Sequence, residues 1–232
     1  MRTAEIEEMR GLRIFKDVDE RRVDAMLKSS FLQRFPAGVE LVREGEMADF
    51  LHVVVEGQVE VFSGYRDRET TVSVLGAGQC FIMAAVILDR VYLKSVRSLT
   101  QARVLLIPAD AVRRYFAEDA AFARCLACDL AEAYRMVVKE LKNQKLRSGL
   151  ERLANWLLAY RAENGESNRI ELPFEKKVLA ARLGMAPEVL SRSFAALAPY
   201  KVKVIGPTIE IRDVVALTKL AQPSSTIDDP ST

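Results

Sequence analysis

From Phe35 onward, apolar and polar positions alternate over short runs. In "GQVEVF", Val59 and Val61 alternate with Gln58 and Glu60, which makes one face of the run dry and the other wet. "VELVRE", "FLHVVVEGQVEVFSG", "TTVSVLGAG" and "ARVLLIP" share this β character, and Gly38, Gly45, Gly57, Gly64, Gly76 and Gly78 punctuate them. Short strands with turns about every eight to twelve residues predict a small antiparallel barrel or jelly roll. Ahead of it, "AEIEEMRGL" and "DERRVDAMLKSS" predict short helices.

After the barrel the period becomes helical. No Gly or Pro interrupts Ala111 to Leu146, and Leu126, Leu130, Ala133, Val137 and Leu141 recur at steps of three and four. That spacing lays an apolar stripe along one long helix. A helix of this length beside a small barrel is expected to pair with its copy in a second subunit. The plainer alternative is a helix that only covers its own barrel.

Beyond Ser148-Gly149 the pattern gives a helix, "LERLANWLLAYRAEN", and a short strand, "SNRIELP". Two close helices follow, "EKKVLAARL" and "PEVLSRSFAAL", separated by Gly184-Met185, and then a hairpin, "VKVIGPTIEIRD". Two short helices joined by a tight glycine turn form a helix-turn-helix. In the second, Leu190, Phe194 and Leu197 are spaced to face a core, while Glu188, Ser191 and Arg192 share another face near the helix start. An arginine there donates twice to guanine, and a glutamate accepts from cytosine N4. The competing explanation for Glu188 and Arg192 is an i,i+4 surface ion pair. Lys176 and Lys177 begin the first helix, where phosphate contacts are expected, and Lys203 lies on the hairpin, which would act as a wing. The tail, "AQPSSTIDDPST", is polar with two prolines and is expected to be disordered.

Composition narrows the classes. The chain has 232 residues, half of them hydrophobic, with a net charge of only +2. Between Lys139 and Asp213, however, basic residues outnumber acidic ones by about five, the footprint expected of a DNA-binding module. No apolar run reaches the length of a membrane span and the N-terminus does not resemble a signal peptide, so a cytoplasmic protein is expected. The only histidine is His52, which excludes any site that needs two. P-loop, GxSxG and HExxH motifs are missing, which argues against an enzyme.

The order barrel, long helix, winged helix-turn-helix resembles the CRP/FNR family of bacterial transcription regulators. The resemblance rests on "FPAGVELVREGEMADFLHVVVEGQVEVF", "LAARLGMAPEVLSRSFAAL" and "GPTIEIRD", and it covers roughly residues 10 to 213. It implies an α+β chain. A sensor barrel of the cyclic-nucleotide-binding type would occupy 1–110, a dimerisation helix 111–147, a winged helix 148–213 and a C-terminal segment 214–232. It also implies a homodimer on palindromic double-stranded DNA with TTG-type half-sites, with RNA polymerase as a further partner. The E-x-x-S-R set of Glu188, Ser191 and Arg192 is similar to the FNR-type recognition signature. Ala186 departs from the usual N-capping Ser or Thr, and Pro187 in the first turn partly compensates.

The family's cyclic-AMP binders use a Gly-Glu pair and an Arg-Ser pair for the ribose and phosphate. Here Ile82-Met83 and Lys94-Ser95 stand at or near those places, so the usual cyclic-AMP mode is not expected. Three other signals stay open. Cys80, Cys125 and Cys128 are candidates for redox or metal sensing, against a plainer role as small apolar residues. His52 is a candidate haem ligand, against a structural role in its strand, and the apolar "FIMAAVILD" resembles the corresponding stretch of the family's nitric-oxide-responsive denitrification regulators, which implies a hydrophobic pocket for haem or another apolar ligand. A regulator with no ligand is the third. From a different class, a receptor barrel without DNA function remains the rival.

Overall fold

The computed structural model describes residues 1–66, 68–172, 174–229 and 232, which form two compact units, Met1–Tyr134 and Arg135–Thr232. In the first, α1 (Thr3–Arg10) and α2 (Glu20–Lys28) precede β1 (Phe31–Phe35), β2 (Glu40–Val42), β3 (Phe50–Glu56), β4 (Val59–Tyr65), β5 (Arg68–Leu75) and β6 (Cys80–Phe81). Helix α3 (Met83–Leu88) separates these from β7 (Ser95–Ser98) and β8 (Ala102–Pro108). The strands make two antiparallel four-stranded sheets, ordered β1-β8-β3-β6 and β2-β7-β4-β5. Leu51 and Val53 of one sheet and Val59, Val61 and Val96 of the other enter one buried cluster with Met26, Leu27 and Phe122. Val59 and Val61 sit on the core face as their alternation predicts, but the wet face expected beside them is corrected: Glu60 is buried as well, and β3 is buried continuously from Leu51 to Val54.

Gly57 shows why one turn is glycine. Its φ is +81°, and a Cβ would collide with the carbonyl oxygen of Gln101. On the β2-β7-β4-β5 sheet a polar network is sealed in place. Glu60, 1% exposed, accepts from Thr71 and, at 2.7 Å, from Arg97 Nε. Arg97 also reaches Glu69 at 2.7 Å and lies over the Phe62 ring at 4.2 Å. A buried carboxylate is tolerated here because each oxygen has a charge-assisted or hydroxyl donor.

The single long helix expected over 111–147 is in fact two, α4 (Ala109–Glu118) and α5 (Ala120–Leu146). Asp119 makes the break. Its backbone is extended, its carboxylate accepts from the Phe122 amide at 2.9 Å, and Arg22 pairs with it at 3.0 Å. An aspartate that caps a new helix competes with continuing the old one. Leu126 is also corrected as a pairing residue. It is fully buried in the core of its own unit, with Leu130 partly buried against that core, so it has no surface left for a second copy. The first turns of α5 thus cover the barrel, as in the plainer alternative.

The second unit contains the end of α5, then α6 (Gly149–Glu163), β9 (Arg169–Glu171), α7 (Lys176–Arg182), α8 (Pro187–Ala196), β10 (Val202–Ile205), β11 (Thr208–Ile211), α9 (Val214–Ala221) and α10 (Ser225–Asp228). Ser148 and Glu151 form a reciprocal capping box at the start of α6. The three strands are ordered β10-β11-β9. Leu153, Leu157, Leu179, Leu190, Leu197, Ile209 and Ile211 build the core, and Leu217 and Ala221 of α9 belong to it as well.

The tail differs from the disordered segment that its composition suggests. Residues Ser225–Asp228 form a helical turn, and Arg147 grips Asp228 with two bonds of 2.7 and 2.6 Å. Tertiary charge pairing supplies what the tail's low hydrophobicity does not. Pro230 and Ser231, also expected to be disordered, lie outside the described residues.

Candidate nucleic-acid interface and effector turn

Helix α8 is amphipathic as its spacing predicts. Leu190, Phe194 and Leu197 are 1%, 8% and 0% exposed, whereas Glu188, Ser191 and Arg192 are all exposed. The helix starts without a side-chain cap at Ala186 and carries Pro187 in its first turn. The Ser191 hydroxyl donates back to the Pro187 carbonyl at 3.1 Å. Among the described residues neither Glu188 nor Arg192 has a side-chain hydrogen bond or ion pair. The i,i+4 surface pair is thus not formed, and both head groups are free to meet an outside partner.

The turn before α8 is built around Gly184. Its φ is +63°, and a Cβ there would run into the Gln144 side chain. Arg152 supports the same turn, donating to the Leu183 carbonyl at 2.8 Å. No local sequence signal marks Arg152 or Gln144, because both act at long range in the chain.

Lys176 and Lys177 are exposed at the start of α7, with Lys176 Nζ 6.0 Å from the Phe194 ring centroid. Lys203 is exposed on β10, opposite Glu210 of β11. Two further cations that the sequence alone does not assign to DNA, Arg169 and Arg212, are exposed beside the wing; Arg212 pairs with Glu210 at 2.9 Å. On α5, Ala133, Val137 and Leu141 are exposed, together with Tyr134, Met136 and Val138.

The barrel's effector turn is apolar. Ile82 adopts a left-handed backbone, φ 61° and ψ 24°, at the start of α3, an uncommon conformation for a β-branched residue. Met83 is 6% exposed and belongs to the core. Neither residue offers a carboxylate at that turn. Lys94 is half-buried, has no bonded partner among the described residues, and burial lowers its pKa. The Ser95 hydroxyl is engaged by the Glu44 amide at 2.9 Å.

His52 is 4% exposed on β3, stacked on Phe81 at 4.8 Å, and its Nδ1 has no hydrogen-bond partner among the described residues. Burial pulls its pKa down from 6.5 to about 4, so the ring is neutral near pH 7. Burial pushes the Cys80 thiol well above the ordinary range, and the negative charge of Asp129 adds to it. Cys125 Sγ donates to the Lys16 carbonyl at 3.0 Å, and Cys128 is exposed. Among the described residues, no three His, Cys, Asp or Glu side chains gather in a way that would hold a metal ion.

Comparison with known proteins agrees with this architecture. Residues 32–119 match the cyclic nucleotide-binding domain model, and residues 151–220 match the Crp-like helix-turn-helix domain model. These two modules in this order define a DNA-binding transcription regulator with a sensor-type barrel. The Cyclic AMP receptor protein of Thermus thermophilus is 26% identical over 217 residues, covering 92% of this chain and 98% of that one. A CRP-like cAMP-activated global transcriptional regulator of Mycobacterium tuberculosis is 22% identical over 215 residues, covering 90% and 96%. The structure of FixK2 from Bradyrhizobium japonicum shares the fold with a TM-score of 0.72 at 19% identity, covering 84% of this chain and 98% of that one. The chain belongs to the CRP/FNR family of transcription regulators. That family is one of regulators rather than enzymes. Among the described residues no helix is long and apolar enough to cross a membrane.

Proposed function

We propose that the chain acts in the cytoplasm as a homodimer that binds a palindromic DNA site with TTG-type half-sites and works with RNA polymerase. The observation that carries this is the free outer face of α8. Glu188 and Arg192 are exposed there and unpaired among the described residues, while the opposite face of the helix is sealed in the core. Glu188 and Arg192 read base edges, Ser191 contacts a base or phosphate, and Lys176, Lys177 and Lys203 hold phosphates.

Pairing is assigned to the exposed part of α5. Val137 and Leu141 are 63% and 52% exposed, with Tyr134 at 70%, and leaving such side chains in water forfeits the burial that a second copy supplies. Two recognition helices about 34 Å apart then enter successive major grooves.

The curated relatives include a cAMP-activated regulator and a cyclic AMP receptor protein. In this chain the ribose-binding carboxylate is replaced by buried Met83. We therefore assign the barrel an effector other than a cyclic nucleotide held in the ribose-phosphate mode, with Ile82, Met83, Lys94 and Ser95 at its site.

The test is selection of bound duplexes from a random library with wild-type chain and with Arg192→Ala. The wild type is expected to enrich a two-fold symmetric site. The variant is expected to keep weak, salt-sensitive binding without sequence preference. Retention of the wild-type preference by Arg192→Ala would overturn the assignment of α8 as the reading element.

A further inference from the structure

Arg147 is the single residue between the end of α5 at Leu146 and Ser148, the cap of α6. Its side chain is 8% exposed, and among the described residues its one carboxylate partner is Asp228. Nη1 donates to Oδ1 at 2.7 Å and Nη2 to Oδ2 at 2.6 Å. The Ser224 amide donates to the same Oδ2 at 2.6 Å, so both carboxylate oxygens are occupied. Bidentate arginine–carboxylate pairs are the most geometrically restrictive of ion pairs.

The same short segment holds α5 at two earlier turns. Lys142 Nζ donates to Thr226 Oγ1 at 2.7 Å, and Lys139 Nζ to the Asp229 carbonyl at 2.6 Å. On the other side of the joint, Asn155 of α6 donates to the Ala221 carbonyl at 2.6 Å. Ala221 is itself part of the core of this unit, so the segment that follows it continues from a helix packed in place.

We propose that Ser224–Asp229 is a splint across the α5–α6 joint, and that Asp228 is a positioning residue for DNA recognition. By fixing the joint, it fixes the separation of the two recognition helices and so the spacing of half-sites that the protein accepts. This rests on the reading of the protein as a dimer on a two-fold site. Adding one base pair moves the half-sites apart by about 3.4 Å and turns one by about 35°. A splinted joint rejects that change, and a free one-residue joint follows it.

The experiment uses the full chain and the site that the wild type selects, together with duplexes carrying one base pair more or less between the half-sites. Wild-type protein is expected to bind the altered duplexes at least about tenfold more weakly. Asp228→Asn is expected to reduce that discrimination to about two- or threefold while the preferred half-site stays the same, and Asp228→Glu to restore part of it. Asp228→Asn leaves Arg147 buried without its partner and is prone to misfolding. A chain truncated after Gln222 that also carries Arg147→Met removes the segment and the stranded charge together, and it is expected to lose discrimination to the same extent. If these variants weaken every duplex equally and keep the wild-type spacing preference, Asp228 is merely structural and the inference fails alone. If the wild type itself is indifferent to spacing, the paired-site reading falls with it.

Discussion

The His52 ring offers a direct thermodynamic test of how the barrel is packed. It is 4% exposed, stacked on Phe81, and its Nδ1 has no partner among the described residues. A proton on that ring would put a charge among apolar side chains, and burial therefore lowers its pKa from 6.5 to about 4. Between those values the unfolded chain binds a proton that the folded chain refuses. The contribution to stability is fully present above about pH 6.5 and is lost as the pH falls toward 4. At about 1.4 kcal/mol per pKa unit the whole span is worth about 3 kcal/mol, of which about 2 kcal/mol is gone by pH 5. The assay is urea unfolding of wild type and His52→Phe from pH 7.5 to 5. Circular dichroism follows the β-rich unit, and fluorescence of the only tryptophan, Trp156, follows the other unit. Carboxylates titrate alike in the two proteins and cancel in the difference. The wild-type barrel is expected to lose about 2 kcal/mol relative to the variant over this range, with no change in the Trp156 transition. An equal slope in both proteins would refute the claim that a buried neutral histidine underlies it.

Two further outcomes are expected. Gly184→Ala combines a left-handed backbone with a collision against Gln144, and it is expected to lower the stability of the second unit by about 1–3 kcal/mol in the Trp156-monitored transition. Adding Gln144→Ala recovers the steric part but not the backbone part. Leu141→Lys places a charge in the exposed apolar stretch of α5 and is expected to shift sedimentation from dimer to monomer with unchanged circular dichroism; a dimer that survives it pairs elsewhere.

Features that repeat along the chain are legible in the amino-acid order alone. The period-two alternation around Val59 and Val61 marks strands, and the spacing of Leu190, Phe194 and Leu197 marks the buried face of α8. The outward set of Glu188, Ser191 and Arg192 follows from the same geometry. Features set by single residues or by distant partners are hidden. Asp119 sits inside a helical pattern as an ordinary polar residue, and only its bonds to the Phe122 amide and Arg22 reveal it as a cap. The stripe of Leu126, Leu130, Ala133, Val137 and Leu141 has the right period for pairing. Period alone does not say where along the helix the partner changes from the barrel to water. The tail reads as unstructured because its order comes from Arg147, Lys142 and Lys139, which precede their partners in the tail by 81, 84 and 90 residues and so leave no local pattern.

The network around Glu60 has a consequence on the time axis. Arg97 of β7 ties Glu60 of β4 to Glu69 of β5, and Thr71 of β5 closes the ring from the other side. Opening any one of these strands strips donors from a carboxylate that has almost no access to water. The cheap partial openings that let single strands breathe are thereby suppressed, and the three strands exchange their amide hydrogens as one unit. Protection from deuterium should be greatest along β4, which is paired on both edges. It should fall away at β2, whose three residues form the end of the sheet.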